Sequence, residues 1–264
     1  MGLRGRALAV LFGTLVAVPG EAAPPTPDEL AACLKKNLPQ TTALQSLHFR
    51  VADRTGEGIE IQSKLWWRRF DDGRSRAMLR VLAPPDYRGS ALLLIERKSG
   101  SDMFLFLPEL GKPRRMTSQA FSGSLFGSDF TYEDFQQVMG VQRGGSSVSL
   151  PAEELDGMPV HVLEQHPDPE QGSAYERIVT YVTHEPCVPV KTELYEAGGR
   201  LRKVLRTDVT KLLELDGLRL PGSLRMEDLL NQSSTVLEID EVVLGSELPR
   251  RLFDASALER SGRE

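Results

Sequence analysis

Two short runs constrain this chain more than anything else in it. ALLLIE at 91–96 and MFLFLP at 103–108 are apolar at every position. Successive side chains of a strand point to opposite faces, so strands of this kind are stable only when something covers both faces. Around them the dominant period is two. Leu47, Phe49 and Val51 alternate with polar neighbours, as do Ile59, Ile61, Leu65 and Trp67, and then Ala77, Leu79 and Val81. DRTGEG at 53–58 and FDDGR at 70–74 carry the turn chemistry of hairpin loops. Further strands are expected at 159–165, 174–183, 188–196, 200–209 and 234–244. No strand-helix-strand rhythm occurs, so neighbouring strands should be antiparallel. About ten strands in meander-like order, with a few short helices, point to a mainly β fold: one curved antiparallel sheet forming an unclosed half-barrel.

The N-terminal segment sets the expected compartment. Arg4 and Arg6 precede the uncharged run ALAVLFGTLVAV at 7–18, which is too short to span a bilayer, and small residues follow at Gly20 and Ala22. This pattern predicts a secretory signal peptide over 1–22, with a soluble, exported domain over 23–264. No cysteine stands at the cleavage point, so lipidation there is not expected. The formal net charge of −5, with both signs interspersed, gives no electrostatic case for nucleic acid or an anionic membrane surface. The two cysteines, Cys33 and Cys187, either pair in the oxidising compartment or serve as small apolar residues.

PDELAACLKKNL at 27–38 reads as an amphipathic helix, with Thr26 and Glu29 as a capping box and Leu30, Cys33 or Leu34, and Leu38 on one face. A second helix is expected in TYEDFQQVMG, capped by Thr131 and Asp134, stapled by Phe130 and Phe135, with Phe135, Val138 and Met139 as its apolar side, and closed by Gly140. Just before it, FSGSLFGSDF carries more aromatics than that helix can use. With its Gly and Ser spacers, it is expected to be a pliant lid over an apolar cavity. The cavity would be lined by Trp67, Leu93, Phe104 and Phe106, with Phe121, Phe126 and Phe130 supplied by the lid. The competing reading is an ordinary packed core.

Catalytic and metal-binding motifs are not found. His48, His161, His166 and His184 lack zinc-ligand spacing, no G-x-S-x-G elbow occurs, and neither Gly127-Ser128-Asp129 nor Gly144-Gly145-Ser146 has the lysine of a phosphate loop. Asp129, Glu133 and Asp134 offer carboxylates, but acidic residues opening a helix have a capping role. No enzyme activity, cofactor or metal is therefore expected.

YRGSALLLIE, then MFLFLPELGKPRRM and GSLFGSDFTYEDF, resembles the LolA-like outer membrane lipoprotein-sorting family of Gram-negative bacteria, in its broad, largely uncharacterised branch. PVKTELYEAGGRLRKVLRTDV at 189–209 and LPRRLFDASALER at 248–260 continue the likeness. The resemblance implies a LolA/LolB-like sorting domain in the periplasm: a half-barrel whose concave apolar face is covered by helices and which binds acyl chains of lipid or lipoprotein as a carrier or chaperone. It also implies an inner-membrane transporter of RND or ABC type and an outer-membrane acceptor as partners. The alternative is an adaptor that docks such a transporter or an envelope complex without lipid cargo.

Overall fold

The computed structural model describes residues 24–141 and 144–260, so the expected signal peptide lies outside the described residues. The first element among the described residues is helix α1, Pro27–Lys36, capped by Thr26 and Glu29 as a full capping box. It then enters the middle of a sheet at β1, Thr42–Ala52, and steps outward by hairpins. These strands are β2, Gly58–Arg69; β3, Ser75–Ala83; β4, Ala91–Glu96; β5, Ser101–Phe106; and β6, Arg114–Arg115, at one edge.

From that edge the chain crosses to the other one. The crossing contains helix α2, Tyr132–Val138, and arrives at β7, Gly145–Leu155. The return passes through β8, Met158–Pro167; β9, Arg177–Thr183; β10, Pro189–Glu196; and β11, Arg200–Thr207. A separate hairpin, β12, Leu212–Leu215, and β13, Leu218–Pro221, interrupts the sequence. Strands β14, Ser223–Asp228, and β15, Ser233–Leu244, complete the sheet, and β15 pairs with β1 in the middle. The result is one antiparallel sheet of 13 strands, two meanders joined at β1–β15, with β6 and β7 left as open edges. It is mainly β and unclosed, as the period-two pattern implied. The alternation missed β6, β7, β14 and the β12–β13 hairpin, whose sequences are short or polar on both sides.

Strand alternation sorts the two apolar runs into two cores. Leu92, Leu94 and Met103 turn to the concave face, where they join Leu47, Phe49, Leu65 and Leu79 under the crossing segment. Ala91, Leu93, Ile95 and Phe106 turn to the convex face, against Leu248, Phe253 and Leu258 of the C-terminal strap, which includes the short helix α3, Ala257–Arg260. Three arginines of β2 and β3 hold that strap by its carbonyls: Arg68 to Leu248, Arg76 to Phe253 at 3.2 Å and Arg80 to Leu258 at 2.8 Å. Both faces of β4 are thereby dry.

Cys33 of α1 and Cys187 of the β9–β10 turn form a disulfide, with Cα atoms 5.8 Å apart across 154 residues of chain. In the chain-entropy model a loop this long contributes roughly 5 kcal/mol by restricting the unfolded chain. Replacing both cysteines by serine should lower the urea midpoint of the oxidised protein markedly, by up to that free energy. Equal midpoints for the two proteins would show that the bridge does not constrain the unfolded chain in solution.

Candidate ligand-binding site

A cavity of about 260 Å³ lies between the concave face and its covering helices. Leu34 and Leu38 line it from α1 and its C-terminal extension, and Val138 and Met139 from the end of α2. Leu65, Trp67, Leu205 and Ile239 supply the sheet wall. The two helix ends meet above it: a Cβ on Gly140, whose φ is +73°, would lie 2.5 Å from Leu38 Cδ1. Any larger residue there would be strained by the backbone angle and would have to push the Leu38 side chain aside. One end of the cavity is tied shut. The Asn37 amide donates to the carbonyls of Pro186 and Cys187, and Asn37 Oδ1 accepts the Arg219 N–H at 3.1 Å, so α1, the β9–β10 turn and the β12–β13 hairpin share one junction beside the disulfide.

The residues expected to form the site are split by the sheet. Trp67 lines the cavity. Phe121, Phe126 and Phe130 are buried in the concave core, with Phe130 edge-on to Phe49 at 6.2 Å and Phe126 edge-on to Tyr132 at 6.3 Å. Leu93, Phe104 and Phe106 do not join them, because odd and even positions of β4 and β5 face opposite ways and these three pack on the convex side with the C-terminal strap. The lining residues not singled out as site residues, Leu34, Leu38, Val138 and Met139, come from the apolar faces of the two helices. Those faces were visible in the sequence, and their convergence was not.

The segment before α2 also differs from a pliant lid. Residues 123–132 close on themselves as a small hairpin, with Leu125 N donating to Phe130 O at 2.7 Å and Tyr132 N to Gly123 O at 3.1 Å. Phe126 takes a φ of +52° and Gly127 one of +84°, which turns the tip. A Cβ on Gly127 would stand 2.8 Å from the Tyr87 hydroxyl. Asp129 fixes the hairpin to the sheet, accepting from Ser233 Oγ and from Thr235 Oγ1 at 2.7 Å. Phe126 therefore fills the concave side as core.

Beneath this plug is a buried polar network that sequence reading did not find. Lys203 on β11 is 5% exposed, and its ammonium donates to Asp129 O at 2.6 Å and to Asp134 Oδ2 at 3.1 Å. Asp134 also accepts the Thr131 N–H at 2.8 Å, completing the capping box of α2, and the Tyr175 hydroxyl at 2.9 Å. Burial, and secondarily the Asp134 carboxylate, hold the Tyr175 hydroxyl well above its ordinary pKa. Burial pushes Tyr132 up to about 12. A second, open cleft of about 740 Å³ lies beyond the plug, and the polar groups in its wall include ones already engaged, such as Asp129 and Asp228, the latter gripped by Arg202 at 2.6 and 3.0 Å. Among the described residues no cluster of three or more His, Cys, Asp or Glu could hold a metal ion.

A family model described as an uncharacterized protein matches residues 73–260. No curated protein matches the chain. Among solved structures, a domain of an outer membrane lipoprotein-sorting protein from Vibrio parahaemolyticus superposes with a TM-score of 0.79 at 24% identity, covering 88% of this chain and 97% of that one. A DUF1329 family protein from Desulfovibrio piger gives 0.79 at 22% identity over 87% and 96% of the two chains. A LolA superfamily protein from Nitrosomonas europaea gives 0.68 at 22% identity over 87% and 97%.

Two outcomes follow from the plug and its network. Lys203→Met leaves Asp134 without its cation in a dry site, and should destabilise the protein by about 3–5 kcal/mol in urea unfolding, whereas a loss under about 1 kcal/mol would show that water reaches the pair. Stability should also fall above about pH 10, where an unfolded tyrosine ionises while Tyr132 and Tyr175 stay protonated in the fold. Their folded pKa values are raised, so this contribution is complete below pH 10 and is lost as pH rises toward and past 12. Tyr132→Phe should flatten that decline in unfolding curves taken between pH 9 and 11.

Proposed function

Because the chain belongs to the family matched over residues 73–260 and shares the fold of LolA-superfamily and lipoprotein-sorting proteins, we propose that it is a periplasmic protein that binds or carries the acyl chains of lipid or lipoprotein between the inner and outer membranes. The apolar cavity under α1 and α2 is the observation that carries this reading. The signal-peptide pattern supports the compartment, and among the described residues no helix is long and apolar enough to cross a membrane.

The energetics suit a carrier. Each methylene taken from water contributes about 0.8 kcal/mol, on the order of 12 kcal/mol for a sixteen-carbon chain, so a soluble protein must offer comparable apolar surface and still let go. The cavity lies just under the roughly 300–1,000 Å³ range of common ligand sites, so a long chain requires the roof to yield. The plug is hydrogen-bonded to the sheet and α1 is tethered by its disulfide. The chemistry asked of this protein is binding and release, without a covalent step.

Native mass spectrometry of protein purified from the periplasm should show co-purified acyl species. Met139→Trp, which fills the cavity from its roof, should weaken binding of a fluorescent fatty acid at least tenfold with little change in the unfolding midpoint. Protein free of acyl species, with probe binding indifferent to Met139→Trp, would leave the adaptor reading in place of the carrier.

A further inference from the structure

The two open edges of the sheet are not alike. Strand β6 is two residues long and both are arginines, which together blunt that edge against further pairing. Strand β7 runs for 11 residues and is paired only with β8. Its second half is blunted too, by Pro151, by a register shift between Leu150 and Glu153, and by Glu153 and Glu154. Its first half, GSSVSL at 145–150, has no charge and no proline, and residues 145–148 are exposed.

The phase of the β7–β8 ladder shows which groups face outward. Asp168 N donates to Gly144 O at 2.9 Å, and the register continues as Gly145 opposite Pro167, Ser147 opposite Gln165 and Ser149 opposite Leu163. In an antiparallel pair, hydrogen-bonded and non-bonded positions alternate. Residues 144, 146, 148 and 150 therefore face β8, while Ser147 and Ser149 turn both N–H and C=O to the open edge. The next outward position is Pro151, which has no N–H to present, in keeping with this phase. The Ser149 hydroxyl is buried without a hydrogen-bond partner at the same place.

This open stretch begins at the cavity. Gly144, Gly145, Ser146 and Ser147 all line the apolar chamber. Outward-facing main-chain donors and acceptors match another extended backbone residue by residue, whereas a free fatty acid offers them only its carboxylate. We propose that residues 145–150 receive the polypeptide of an acylated cargo as an added β-strand, its acyl chain in the cavity and its peptide along β7. The inference rests on the carrier reading and narrows it to lipidated protein, since a ladder of both donors and acceptors is matched along its length by a ligand with a backbone. Six residues of strand correspond to roughly 20 Å of peptide, so recognition is of the segment next to the lipid and is indifferent to most of its side chains.

The test compares three probes on the full mature, disulfide-bonded protein by calorimetric titration: palmitate, an N-palmitoyl octapeptide of Gly, Ser and Ala, and the same octapeptide N-methylated at alternate residues. The unmethylated peptide should bind about tenfold more tightly than the methylated one, the effect of a few net backbone hydrogen bonds. Ser149→Pro, which deletes an outward N–H without touching the β8 ladder, should abolish that advantage and leave palmitate affinity unchanged. If palmitate binds and the two peptides bind equally to the unaltered protein, the edge is unused and this inference fails while the carrier reading stands. If none of the three binds, the carrier reading fails and takes the inference with it. Should Ser149→Pro not fold, the methylated and unmethylated peptides on the unaltered protein decide alone.

Discussion

Lys203 places a buried ammonium ion on the inner, largely apolar side of the sheet. A charge at that depth is tolerated only when its hydrogen bonds are satisfied, and two of them come from the segment that crosses the sheet: the Asp129 carbonyl and the Asp134 carboxylate. The same carboxylate closes the capping box of α2 and accepts the Tyr175 hydroxyl. One buried pair therefore fixes where the crossing segment sits, where α2 starts and which way its apolar face points. The aromatic plug and the cavity roof both inherit their positions from it.

The need for a crossing comes from connectivity. A chain that enters mid-sheet and builds outward to β6 must traverse one face to start again at β7. That passage of about thirty residues must satisfy its own backbone while burying apolar side chains. The Gly and Ser of FSGSLFGSDF meet the first demand through a compact hairpin, and its phenylalanines meet the second by filling the concave side. The sheet curves round this filling, so the cavity is the part of the concave face that the plug does not reach, under α1 and the end of α2.

The convex face is closed by different means. There the strap packs Leu248, Phe253 and Leu258 on β3–β5, and arginine side chains reach from the sheet to its carbonyls. This arrangement makes the β3–β5 end of the sheet a three-layered body.

The order of the residues alone determined the strand class, most hairpins, both capped helices and the need for cover on each side of 91–96 and 103–108, because these follow from side-chain periodicity and local turn and capping chemistry. Two of the faces that make the cavity were also legible, as apolar stripes on 27–38 and 131–140. What the sequence could not give was which apolar residues share a chamber. Trp67 and Leu93 read alike as candidates, and a strand's alternation says that its neighbours part company without saying which partners await on each side. The pairing of β15 with β1 and the contacts of Lys203 with Asp134 and Asp129 join residues more than 60 positions apart. Only the closed tertiary structure sets these, because long-range contacts depend on the register of many strands at once and leave no local signal in the chain.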